Sequence, residues 1–180
     1  TQKFRASEFK ALAKFLESGK HILFFGTDGG EVALNTNFNH LLENYMIFLN
    51  NDGVIRTSYY KYLHPKEVLI QNGVVDEDFI RVANNQEKKV TAKQKNRLKF
   101  AIQNDQEEDS PDTALAGFQF VYAWGSTLEI KYPAQAILTS GPISYPVNRP
   151  VLASYTSKNG GKLVVGGSFT MFSDEYFDKE

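Results

Sequence analysis

The 180-residue chain contains no cysteine. That excludes a disulfide framework, a thiolate zinc site and a cysteine nucleophile. It has no Asn-x-Ser/Thr sequon, so nothing in it points to secretion. No apolar run approaches the roughly 18 residues that cross a bilayer, and the first residues lack a basic-then-apolar signal pattern. An excess of one charge is missing too: 20 Lys+Arg stand against 21 Asp+Glu, a formal net charge of -1. A bulk-basic nucleic-acid binder is therefore excluded, leaving only a local patch to consider. What is present is 42% hydrophobic, 13% aromatic and 23% charged residues. Those proportions exclude a wholly disordered chain and predict one intracellular, soluble, folded domain.

The element pattern predicts an α/β fold. Ser7 is a candidate N-cap, and Phe9, Leu12, Ala13 and Leu16 follow at helical spacing. Gly19 suits the left-handed position after the helix. Ile22-Leu23-Phe24-Phe25, apolar on both faces and closed by Gly26, predicts a buried parallel strand. After the loop Thr27-Asp28-Gly29-Gly30, a second helix is expected from about Asn35 with the stripe Phe38, Leu41, Leu42 and Tyr45. Short strands are expected at Val54–Thr57 and Val68–Ile70, and acidic residues 76–78 suggest a helix start. Five further runs in the last third read as strands: 118–122, 127–130, 136–139, 151–155 and 162–166. The last two flank Asn159-Gly160 and predict a hairpin. No helical stripe follows the last strand, and no strand precedes the first helix. The expected whole is a Rossmann-like sandwich with a mainly parallel central sheet, truncated at both ends. It would be one domain over residues 1–180, with a charged surface insertion at about 85–116 contributing little to the core.

Four constellations could carry chemistry. Gly26–Glu31 follows a strand, as a phosphate-cradling loop would, but neither GxxxxGK[ST] nor GxGxxG is matched. Asp28 and Glu31 would repel an anion, so a tight turn is the preferred reading. Gly166-Gly167-Ser168 resembles the start of a nucleophile elbow, yet Thr170 stands where G-x-S-x-G needs its last glycine. All three histidines precede Ser168, so capping is the preferred role for the serine. His21, His40 and His64 form no ligand pair at helical spacing and read as ordinary hydrogen-bonded side chains. The lysines from Lys88 to Lys99 have one aromatic at their edge, Phe100, hence no stacking platform for nucleic acid. From these residues the catalytic, cofactor and metal assignments are none.

Several segments together resemble one family. They are Gly29-Gly30-Glu31, Leu49-Asn50-Asn51-Asp52, His64-Pro65-Lys66-Glu67-Val68-Leu69, Asn148–Ala153 through Ser157–Leu163, and Gly167–Asp174. The pattern is similar to the N-terminal domain of the intraflagellar transport protein 52 family, a core subunit of complex B. The resemblance covers most of the chain except about 84–117. It implies an α/β domain related to class I glutamine amidotransferase-like and gliding-motility-associated domains. Those amidotransferases use a cysteine at a nucleophile elbow, which this chain lacks, so no such activity is implied. The resemblance further implies a scaffold of ciliary transport trains, needed for cilium assembly and found at the axoneme, basal body and cytoplasm. Its partners would be other complex B subunits, with no nucleic acid, membrane insertion or small-molecule substrate. The competing reading is a sugar-like small-molecule binding domain or a degenerate hydrolase-like enzyme. No aromatic-plus-carboxylate cluster is visible in the sequence to locate such a site. Candidate docking anchors are Tyr59, Tyr60 and Tyr62, too closely spaced to be buried on one face. The alternative is that alternate tyrosines pack inward with their hydroxyls in solvent.

Overall fold

The computed structural model describes residues 3–58, 64–76 and 119–177. Helix α1 spans Ala6–Glu17 and buries Phe9 and Leu16, with Leu12 and Ala13 packed beside them, as the stripe predicts. Its cap differs from the expected one. Arg5 holds the N-cap position and Ser7 lies in the first turn. The Arg5 N–H donates to Glu8 Oε2 at 2.6 Å, so the acidic side chain three residues on satisfies the helix start. Gly19 takes φ +85° after the helix, and Asn159 Nδ2 donates to the Glu17 carbonyl at 2.7 Å.

The principal sheet has four strands in the order β1 (Ile22–Phe25), β10 (Lys162–Gly166), β9 (Pro150–Thr156) and β7 (Gln135–Thr139). Strand β1 runs parallel to β10, in the register Ile22↔Leu163 to Phe25↔Gly166. The expected hairpin joins β9 to β10 antiparallel, and β7 is antiparallel to β9. Three two-stranded ribbons surround it: β2 (Ile47–Leu49) with β6 (Leu128–Ile130), β3 (Ile55–Arg56) with β8 (Ser144–Tyr145), and β4 (Glu67–Gln71) with β5 (Gln119–Ala123). All three are antiparallel.

The mainly parallel sheet is thus corrected. Among the described residues, one strand pair is parallel and the others are antiparallel. Double-faced apolar runs mark burial, not direction, and a tight turn such as that at Asn159-Gly160 enforces antiparallel pairing. The burial of β1 is corrected too. Among the described residues it lies at the edge of its sheet, and Leu23 is 63% exposed. The second helix is broken into α2 (Gly30–Leu34) and α3 (Asn39–Leu42), continued by a 3₁₀ turn at Glu43–Tyr45. Asn35 at φ +48° separates the two pieces. After β10 a 3₁₀ turn at Thr170–Phe172 and a short helix α4 (Asp174–Phe177) close the described chain, where no helix was expected. The helix expected after Asp76 and the insertion at 85–116 lie outside the described residues.

Two apolar clusters cover the two faces of the principal sheet. Leu163 and Val165 of β10 join α1, α3 and β2 in the first. Val164 faces the second, which holds Val54, Val68, Ile70, Tyr122, Leu138, Val151 and Leu152. Alternation along β10 therefore buries both faces.

Candidate functional site

Parallel strands end where α/β proteins place ligands, in the crevice outside their carboxyl ends. Strand β1 is followed there by Gly26 and β10 ends in Gly166, and several loops converge on the spot.

The loop Gly26–Gly30 spends its donors within the chain. The N–H groups of Gly26, Asp28, Gly29 and Gly30 donate to the carbonyls of Gly166, Trp124, Asp52 and Thr27 at 2.8–2.9 Å. A phosphate cradle needs such groups free, so the tight-turn reading holds. The loop also fits closely on its neighbour. A Cβ on Gly53 would fall 2.0 Å from Asp28 Oδ1, and one on Gly30 the same distance from the Asn50 carbonyl. Glu31 accepts from Asn39 N–H at 2.9 Å and from Asn39 Nδ2 at 3.1 Å.

Ser168 is fully buried. Its Oγ donates to the Ala123 carbonyl and accepts the Met171 N–H at 3.2 Å. That is turn capping without the exposure that a nucleophile requires, and among the described residues no base pairs with the hydroxyl. Beside it, Tyr122 donates its hydroxyl proton to the Ser126 carbonyl at 2.6 Å. Burial, followed by the negative charges of Asp52 and Asp28, pushes the Tyr122 hydroxyl well above its ordinary pKa. Asp52 accepts from Thr127 N–H at 2.7 Å and Thr127 Oγ1 at 2.6 Å.

The histidines serve as hydrogen-bonded or packed side chains. His21 Nδ1 accepts the Lys162 N–H and His64 Nδ1 the Lys66 N–H, both at 3.1 Å. His40 lies against the Phe9 ring at 5.4 Å.

Sequence reasoning missed one cluster. Trp124 sits at φ +51°, a region that bulky residues rarely occupy and that costs of order 1–3 kcal/mol. Two backbone bonds hold it there: its N–H donates to the Lys66 carbonyl at 3.1 Å, and its carbonyl accepts the Asp28 N–H at 2.8 Å. The His64 ring stacks on the indole at 4.4 Å, and the Lys66 ammonium lies 5.7 Å from its centroid while pairing with Asp28. Indole Nε1 donates to the Tyr176 hydroxyl at 3.3 Å, which donates to Glu67 Oε1 at 2.8 Å. Aromatic and carboxylate groups do meet here, but they bind one another. Only the Trp124-Gly125 dipeptide, a bulky residue before glycine at a strand end, hinted at the position. Tyr59, Tyr60 and Tyr62 lie outside the described residues.

A family model described as the IFT52 GIFT domain matches residues 1–180. The chain belongs to that family. An intraflagellar transport protein 52 homolog of Mus musculus is 45% identical over 181 residues, covering 99% of this chain and 39% of the relative. The Homo sapiens homolog is 42% identical over 180 residues, covering 99% and 38%. The chain thus spans well under half the length of these curated relatives. A solved structure, the mmIFT52 N-terminal domain, superposes with a TM-score of 0.75 at 42% identity, over 99% of this chain and 67% of that one. The relatives are named as transport proteins.

Proposed function

We propose that this chain is a non-catalytic scaffold and docking domain of an intraflagellar transport complex B core subunit. In this reading it supports cilium assembly and transport at the axoneme and basal body, with a cytoplasmic pool, and its partners are other complex B subunits. The observation that carries it is the internal hydrogen bonding of the polar groups at the ends of β1 and β10. Among the described residues, the N–H groups of Gly26, Asp28, Gly29 and Gly30, together with Asp52, Ser168 and the Trp124 cluster, are engaged within the chain and are not presented to a substrate. The same engagement disfavours a sugar-like ligand or a hydrolase-like activity. Kinship with glutamine amidotransferase-like, Rossmann-like domains is part of the proposal. It is supported by the parallel β1–β10 pair with its loop crevice.

Tyr59, Tyr60 and Tyr62 are the proposed docking anchors. Alanine or aspartate substitution of Tyr59, Tyr60 and Tyr62 should leave folding intact, weaken co-purification of complex B subunits and shorten or abolish cilia. Normal complex assembly and normal cilia after deletion of the whole domain would sink the scaffold reading.

A further inference from the structure

Four positions in the chain place an Asn or Asp before glycine: Asp28-Gly29, Asp52-Gly53, Asn72-Gly73 and Asn159-Gly160. Such pairs share one intrinsic reactivity. Glycine has no Cβ to shield its nitrogen, so that nitrogen can reach the Cγ of the residue before it. Whether the reaction proceeds in the folded chain depends on how firmly the two groups are held.

In three of the four, at least one reacting group is tied. Asp28 pairs with Lys66, and the Gly29 N–H donates to the Asp52 carbonyl at 2.8 Å. The Asp52 carboxylate accepts two bonds from Thr127. Asn159 Nδ2 donates to the Glu17 carbonyl at 2.7 Å, and the Gly160 N–H to the Ser157 carbonyl at 3.0 Å. Asn72 differs. It is exposed, and among the described residues neither its side chain nor the Gly73 N–H has a hydrogen-bond partner. Gly73 is buried, and a buried N–H without an acceptor carries a free-energy cost. Asn72 also stands in the left-handed region at φ +55°, which residues with a side chain seldom occupy. No bond of the two reacting groups opposes ring closure there.

We propose that Asn72 is a site of spontaneous succinimide formation and deamidation in the folded protein. The Gly73 nitrogen gives its proton to a solvent base and attacks Asn72 Cγ. The N–Cγ bond forms, the Cγ–Nδ2 bond breaks, and ammonia leaves with a proton taken from solvent. Water then opens the ring at one of its two carbonyls. Opening at Cγ yields aspartate on an unaltered backbone. Opening at the main-chain carbonyl yields isoaspartate, whose chain runs through Cγ and is one carbon longer.

The next residues have no slack for that carbon. The Gly73 carbonyl accepts the Thr139 N–H at 2.7 Å, and the Val75 N–H donates to the Ile137 carbonyl at 3.0 Å, framing the Val74↔Leu138 bridge. A Cβ on Gly73 would fall 2.5 Å from Ile70 Cγ2 and 2.6 Å from the Thr139 carbonyl. Isoaspartate at position 72 therefore releases residues 73–75 from β7 and uncovers Val74, which is buried in the second apolar cluster. Aspartate leaves them paired. The site is a slow, one-way switch at this edge of the core, driven by water alone. It stands independently of the docking reading.

The test ages the full-length protein in mildly alkaline buffer, folded and in concentrated urea. Peptide mass spectrometry then follows the gain of one mass unit at Asn72 and at Asn159. In urea the two Asn-Gly pairs should react at similar rates. In the folded protein Asn159 should lag Asn72 by about tenfold or more, since one retained hydrogen bond worth about 1.4 kcal/mol gives that factor. Asn72→Gly, which suits a left-handed turn and has no amide, should abolish the gain at that position. The isoaspartyl form, resolved by chromatography, should exchange the Val75 and Thr139 amides about tenfold or more faster than both the unaged protein and Asn72→Asp. Equal rates at the two asparagines in the folded protein, or reaction of Asn72 in urea alone, would overturn the site. An isoaspartyl form that exchanges like the unaged protein would overturn the switch. Both decisive comparisons use the unsubstituted chain, so they stand even where a variant fails to fold.

Discussion

Replacing Tyr122 with phenylalanine removes one oxygen from the middle of the second apolar cluster and keeps the ring. The hydroxyl is fully enclosed: a Cβ on Gly125 or Gly167 would fall 2.4 or 2.3 Å from it. Its one hydrogen bond satisfies the buried Ser126 carbonyl, so the substitution should cost about 1–3 kcal/mol at pH 7, the penalty for a buried acceptor left unpaired. Alkaline pH then reverses the comparison. The native hydroxyl holds its proton well above pKa 10.0 because burial, then Asp52 and Asp28, oppose its ionisation. Above about pH 10 the unfolded chain releases that proton and the native chain keeps it. The native state then binds more protons, so its stability falls as pH rises, by about 1.4 kcal/mol per pH unit from this residue. Below that pH the contribution is whole. The phenylalanine variant has no proton to keep, and the remaining tyrosines cancel in the difference. Urea unfolding followed by far-UV circular dichroism, at pH 7 and in steps above pH 10, should show the wild-type advantage shrinking and then changing sign. A gap that stays constant with pH, or that is below about 0.5 kcal/mol at pH 7, would refute the reasoning.

Gly167→Ala should destabilise the domain by about 3 kcal/mol, because its Cβ would fall 1.9 Å from the Ser126 carbonyl, a backbone atom that cannot give way; thermal melting checks it. Asn39→Ala should cost about 2–4 kcal/mol, since the Asn39 side chain pairs with both the N–H and the carbonyl of Leu49 at 2.9 and 3.0 Å. Asn39→Asp should be worse in the same unfolding assay, setting a carboxylate against Glu31. Ser168→Ala should leave fluorophosphonate labelling at background in both forms and cost about 1 kcal/mol through the lost cap; labelling that depends on Ser168 would overturn the non-catalytic reading.

Local signals were legible in the sequence and distant ones were not. The stripe of α1 and the Asn159-Gly160 hairpin are written within a few residues of each other, and both stand as expected. Ser7 lost the cap to Arg5 because Glu8 could reach back to it, a competition decided by one hydrogen bond. The second helix failed for a longer-range reason. Asn39 must bridge Glu31 to Leu49 of β2, and a left-handed Asn35 bends the chain to allow it. Strand β2 was missed for a related cause, since Met46 at φ +59° cuts Ile47–Leu49 off from an otherwise helical-looking stripe. The Trp124 cluster is the extreme case. Its bonds join residues 38, 52 and 109 positions apart, and no periodicity spans such gaps.

The placement of Trp124 gives this chain an optical probe of its own tertiary structure. It is the only tryptophan in the sequence, and it touches segments that approach from four directions: the loop after β1, the start of β4, the end of β5 and the α4 turn. Near-ultraviolet emission excited at the indole therefore reads one junction instead of an average over the molecule. Loss of the α4 turn alone would remove the Tyr176 acceptor from Nε1 and shift the emission, while the backbone signal of the sheet stayed unchanged. Two spectra on one sample thus distinguish a loosened junction from an unfolded domain, without a label.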